Sequence, residues 1–144
     1  MSKPPAQTVI QGGRAKAYRP LPETDRREAF AAALAAYDRG DFFLTHELLE
    51  PAWMGTDYLP ERELYQGLIK LAAAFVHSVR GNPRGIARNL EGARERLVAA
   101  HRAEMTGGLD LADLLTAIDD RLARLAAEPD ASPIDPPSLR RTTR

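Results

Sequence analysis

The stretch FAAALAAYDRGDFF, residues 30–43, decides the fold. Phe30, Ala33, Leu34 and Tyr37 recur at three- and four-residue intervals, the period of a helix that buries one face. Gly40 ends that pattern, and Asp41 is placed to cap a second helix starting at Phe42. So short a turn folds the second helix back antiparallel to the first. The same grammar returns 41 residues later: Arg39-Gly40-Asp41 becomes Arg80-Gly81-Asn82, Ala31–Ala33 becomes Ala72–Ala74, and Leu49-Glu50-x-Ala52 becomes Leu90-Glu91-x-Ala93. Each copy is a helix, a tight turn and a second helix with a small residue at a close-packing position. The layout is that of tetratricopeptide-like helix pairs, although the full motif of that repeat is not met.

Working outward, helix one runs from a Thr24 cap to Gly40, and helix two from Asp41 to about Trp53, with Pro51 disturbing its last turn. Pro60 opens a third helix that runs to Arg80, with Leu64, Leu68, Leu71, Ala72, Phe75 and Val79 on one side. The fourth carries Ile86, Leu90, Ala93 and Leu97 to about Ala103. After Gly107-Gly108 a fifth shows Leu111, Leu114, Leu115, Ile118, Leu122 and Leu125 before Pro129 stops it, a stripe suited to the core or to the seam of a homodimer. The fold class is therefore all-α: a compact bundle of about five helices, two antiparallel pairs plus a closing C-terminal helix. Val and Ile together number nine in 144 residues, too few for a substantial sheet. The pattern divides the chain into an irregular N-terminal arm over 1–22, one helical domain over 23–128, and a Pro/Arg-containing tail over 129–144.

Composition excludes more than it assigns. Twenty Lys+Arg balance twenty Asp+Glu, which argues against a general nucleic-acid binder. No apolar run approaches the ~18–20 residues that span a bilayer, and no signal-peptide pattern opens the chain, so the expected setting is the cytoplasm. Without cysteine there is no disulfide framework, thiol nucleophile or thiolate zinc site. Ser78 beside His77 cannot face it on a helix, so a hydrolytic triad has no support, and Gly12-Gly13-Arg14 lacks the strand–helix setting of a phosphate loop.

One cluster carries chemistry. At ~100° per residue, the second helix places Leu49, Phe42, Trp53, His46, Glu50, Phe43 and Met54 along one arc. His46 and Glu50 then sit one turn apart in the middle of an apolar face, with Glu47 at its edge. Burying an imidazole and a carboxylate costs several kcal/mol unless each is partnered. The third helix offers a strip of Gln66, Ala73 and His77, and the fourth a strip of Gly85, Asn89, Gly92 and Arg96 that permits close approach. The expected pocket is thus His46, Glu47, Glu50, Trp53, Gln66 and His77. Two readings compete for it. In one, His46, Glu50 and His77 bind a divalent metal ion, and Glu47 serves as base in a hydrolase. In the other, His46 and Glu50 are a buried hydrogen-bonded pair, so that His46→Ala costs several kcal/mol of stability.

The order Phe43-x-x-His46-Glu47-x-x-Glu50-x-x-Trp53, then Tyr65-Gln66-Gly67-Leu68-Ile69-Lys70-Leu71-Ala72, then His77, Gly81-Asn82 and Gly85, resembles the bacterial and archaeal family called domain of unknown function 309. The resemblance covers about residues 28–101 and implies a small all-helical, cytoplasmic protein; it implies no activity. Lys70 departs from the pattern, where an uncharged residue is expected. The functional expectation is ligand or partner binding through the His/Glu/Trp/Gln pocket, with a metal-dependent hydrolase as the alternative and a structural helical-repeat adaptor as a third class.

Overall fold

Gly40 and Gly81 occupy equivalent turns and both adopt left-handed backbone, with φ of +80° and +67°. The residue after each caps the next helix: Asp41 accepts from the Leu44 amide and Asn82 from the Gly85 amide. The 41-residue echo in the sequence is therefore an echo in local structure. The computed structural model describes residues 7–79, 81–130 and 133–142, with the side chains of residues 77 and 79 outside that set. Its elements are β1 (Gln7–Gln11), β2 (Arg14–Tyr18), α1 (Glu23–Asp38), α2 (Phe42–Met54), α3 (Leu59–Val79), α4 (Pro83–Arg102) and α5 (Leu111–Ala127). The all-α expectation holds, with a small two-stranded hairpin added.

Each helix packs chiefly on its neighbours in the chain, and α3 lies between α2 and α4. Leu64, Leu68, Leu71 and Phe75 carry α3 into the core, where they join Leu34, Leu49, Leu90, Leu97 and Ile118 from the other helices. Tyr37 sets its ring edge-on to Phe42 at 5.2 Å, and Phe42 lies 5.7 Å from Phe75, which ties the first pair of helices to the second. The α5 stripe faces inward, with Leu111, Leu114, Ile118 and Leu125 buried, so it is core and not an open seam. Among the described residues no helix is long and apolar enough to cross a membrane.

Two local expectations are corrected. Thr24 is not the cap of α1: the helix starts at Glu23, after Pro22, with no side-chain cap, and Glu23 and Asp25 favourably face the positive end of its dipole. α2 contains Pro51 and ends at Met54, next to the expected end at about Trp53. Residues 7–18 of the expected irregular arm form an antiparallel hairpin, with Gln11 opposite Arg14 across Gly12-Gly13. Both glycines have positive φ, +60° and +76°, the conformation that a two-residue hairpin turn with correct twist demands.

The C-terminal segment is equally structural. Ile134 and Leu139 are 2% and 8% exposed, members of the core. The Tyr37 hydroxyl donates to the Pro137 carbonyl at 2.7 Å, and the Asp110 amide to the Arg140 carbonyl at 2.9 Å. Burial accordingly pushes the Tyr37 phenol above its ordinary pKa. Arg121, Arg124 and Asp135 add an ion-paired outer layer; burial pushes the Asp135 carboxyl up more than any one partner pulls it down, but Arg121 and Arg124 together hold it below the usual range. Folding thus draws on residues on both sides of 23–128. Ile134→Ala and Leu139→Ala should each lower unfolding free energy by about 2–5 kcal/mol. Urea titration followed by circular dichroism checks this, and unchanged midpoints would show that the strap contributes nothing to the core.

Candidate functional site

Every residue expected in the pocket lies on α2 or α3, but the structure sorts them into two groups. The first is built around Gln11, which nothing in the sequence pattern singles out. Gln11 is 2% exposed at the end of β1 and reaches across to α2 and α3. Its amide nitrogen donates to Glu63 Oε1 at 2.8 Å and to Gln66 Oε1 at 2.6 Å. Its amide oxygen accepts from Trp53 Nε1 at 3.0 Å and from Arg62 Nε at 3.3 Å. Both ends of one amide are thus fully used.

Arg62 is the other unexpected member. It is fully buried, and among the described residues no carboxylate lies within ion-pair distance of it. Neutral acceptors replace one: Trp53 O at 3.1 Å, Thr56 O at 2.9 Å and Ala17 O at 3.4 Å. The guanidinium also lies 5.2 Å from the centre of the Trp53 ring. Trp53 O is a terminal carbonyl of α2, unpaired within the helix, where the dipole favours a cation. Burial pulls the Arg62 pKa down, and the more distant Asp57 and Glu63 charges pull it back. On the other side Arg96 of α4 bonds Glu63 at 3.3 and 3.4 Å. Trp53 and Gln66 therefore meet as expected, but through Gln11, as parts of a polar brace between the hairpin and three helices.

The second group is His46, Glu47 and Glu50. His46 Nδ1 lies 3.7 Å from Glu47 Oε1 and 3.8 Å from Glu50 Oε2, and the ligand atoms of all three lie within 4.8 Å of one another. The grouping is as expected, but its burial is corrected: the side chains are 34%, 54% and 45% exposed. The buried face of α2 is Thr45, Leu49 and Ala52, and Phe43 is 63% exposed. Because α2 is apolar around most of its circumference, periodicity did not fix which side turned inward. The buried direction falls at the Leu49 edge of the expected arc and not at its centre. Within this exposed group one atom is still enclosed: His46 Nδ1 is shielded from solvent and has no hydrogen-bond partner among the described residues. A buried hydrogen-bonded His46–Glu50 pair is therefore not what the structure contains. The side chain of His77, the expected third metal ligand, lies outside the described residues. Lys70 lays its stem over Gly92, where a Cβ would come within 2.8 Å of Cδ, so the strip of small residues on α4 admits a long side chain.

With this geometry in place, comparison with known proteins adds a likeness to one family. The profile of the family described as Domain of unknown function (DUF309) matches residues 30–89. Over that span the chain is similar to this family. The matched stretch runs from Phe30 in α1 to Asn89 in α4, so it holds both His46–Glu50 and Trp53–Gln66 while Gln11 and the hairpin lie outside it. Uncharacterized protein YpuF of Bacillus subtilis (strain 168) is 31% identical over 90 residues, covering 60% of this chain and 52% of the relative. The chain thus spans about half the length of that curated relative. No solved structure matches it.

The brace makes its own prediction. Gln11→Ala leaves the Trp53 indole and one Arg62 N–H without their acceptor, at an expected cost of about 1–3 kcal/mol. Because Trp53 is the single tryptophan, its fluorescence should shift to longer wavelength as water takes the place of the amide. Arg62→Met should cost more, about 3–5 kcal/mol, by stranding several carbonyls at once. An unchanged melt and emission spectrum in Gln11→Ala would remove that residue from the brace.

Proposed function

We propose that the protein is a divalent-metal-binding domain whose ion sits against α2 on His46, Glu47 and Glu50. The observation that supports this is His46 Nδ1: enclosed, without a hydrogen bond among the described residues, and 3.7 and 3.8 Å from two carboxylates. An orphaned imidazole nitrogen is costly in a folded protein and is well suited to a metal lone-pair bond. One imidazole with two carboxylates is a donor set for zinc, manganese or iron. Ligand atoms around one such ion, each at ~2.0–2.2 Å, lie roughly 3–4 Å apart. A spread within 4.8 Å therefore needs only small side-chain rotations to close. The half-exposed carboxylates leave the outer coordination positions to water or to an anionic ligand, to which an ion would supply Lewis acidity. Glu47, expected as the free base of a hydrolase, instead falls inside the donor set. That weighs towards ligand binding at a metal over hydrolysis.

Chelator-free protein dialysed against zinc, manganese or ferrous iron should retain about one ion per chain by elemental analysis. His46→Ala and Glu50→Gln should lose it. Both changes should leave the melting temperature of the metal-free protein nearly unchanged, because exposed groups without hydrogen bonds add little stability. His77→Ala decides the remaining ligand: unchanged zinc affinity would remove His77 from the set. Failure of the wild-type chain to retain any of the three metals, or full retention by His46→Ala, would overturn the reading.

A further inference from the structure

Two clefts of about 420 and 450 Å³ share one carboxylate, Glu61 of α3. Neither includes the His46 group, so a ligand held there is independent of a metal on α2. The smaller cleft is walled by Phe30, Leu64, Tyr65 and Met105, with Glu23 and Arg27 among its lining. The Phe30 and Tyr65 rings stand 5.7 Å apart, tilted by 48°. Gly107 completes the wall: a Cβ there would come within 2.7 Å of the Phe30 ring, so only glycine lets the loop pass so close.

Glu61 is only 15% exposed, yet its bonding is lopsided. Its Oε1 accepts from Arg26 Nε at 2.6 Å and from the Tyr65 hydroxyl at 3.0 Å. Among the described residues its Oε2 has a single contact, Arg26 Nη2 at 3.5 Å, at the long limit of a hydrogen bond. A carboxylate oxygen with one long contact keeps acceptor capacity for a further donor. Arg26 cannot turn to another anion, because it is committed to Glu61 and the Leu21 carbonyl. Glu23 holds Arg27 at 2.8 Å, but the two side chains are 65% and 77% exposed, and so open an ion pair exchanges readily.

We propose that this cleft binds a small organic cation, a primary ammonium on an apolar body about the size of one ring. The ammonium donates to Glu61 Oε2 and displaces Arg27 from Glu23, and the body lies against Phe30 and Tyr65. The volume falls within the ~300–1,000 Å³ of small-molecule sites. Aromatic faces and carboxylates both attract a cation, whereas an anion would meet Glu23 and Glu61 with Arg27 as the one cation among the lining residues.

The test is calorimetric titration of the full chain with 2-phenylethylamine, against 2-phenylethanol and phenylacetate as neutral and anionic counterparts. Saturable binding of the amine is expected, with both counterparts weaker by about tenfold or more. Two exposed variants spare the fold and move affinity in opposite directions. Glu23→Gln should weaken amine binding several-fold, and Arg27→Ala should strengthen it by removing the competing cation. Absence of saturable amine binding at millimolar concentration, equal binding of the alcohol, or an affinity moved by neither variant would overturn the proposal.

Discussion

A buried positive charge that, among the described residues, has no buried negative charge beside it is the constraint around which this molecule is arranged. Arg62 is fully enclosed, and the desolvation of its guanidinium is offset by three main-chain carbonyls, one amide oxygen and the face of an indole. Each acceptor comes from a different part of the chain: the end of α2, the loop after it, β2, and Gln11 of β1. For them to converge, the hairpin must lie across the ends of the helices. The Arg19 and Leu21 amides hold it there by donating to Met54 and Gly55 carbonyls. Gly55 is glycine for the same reason, since a Cβ there would collide with Leu21. One arginine thus sets the position of the N-terminal segment, the exit of α2 and the entry of α3.

That arrangement separates two tasks which lie close together on α2. Trp53, near its C-terminal end, is committed to the brace and to stability. His46, Glu47 and Glu50, one and two turns earlier, are committed to nothing: among the described residues their only partners are one another, at distances too long for hydrogen bonds. Side chains that neither pack in the core nor bond contribute little to folding. A rigid α2, fixed at one end by Arg62 and along its length by Leu49 and Ala52, presents them in a fixed relation.

The helices were legible because helix signals are local. Gly40, Asp41, Gly81, Asn82 and Pro60 mark turns and caps through their own backbone chemistry, and the stripes of α3, α4 and α5 are one-sided enough to reveal their inner faces. α2 was legible as a helix but not in its rotation, since Phe42, Phe43, Leu44, Leu48 and Leu49 surround it with apolar groups. The grouping of His46, Glu47 and Glu50 depended only on spacing and survived; their burial depended on rotation and did not. Gln11 and Arg62 were out of reach for another reason. A glutamine in a short polar run and an arginine in an acid-rich stretch look solvated, and only contacts 51 residues apart reveal that they are buried together. The hairpin itself had a visible sign in Gly12-Gly13, two residues of left-handed preference between extended runs.

The C-terminal strap has a consequence for how the chain comes into being. Contacts among the helices are mostly between neighbours in sequence, so each pair can associate soon after it is made. Tyr37 and Asp38 of the first helix, by contrast, take their partners from Pro137 and Arg141, about a hundred residues later, which leave the ribosome long after α1. Synthesis from the N-terminus therefore yields a stack of helices that stays open along α1 until the strap has emerged. A chain interrupted between α5 and Pro137 would hold every helix, yet leave the first without the cover it was built to receive.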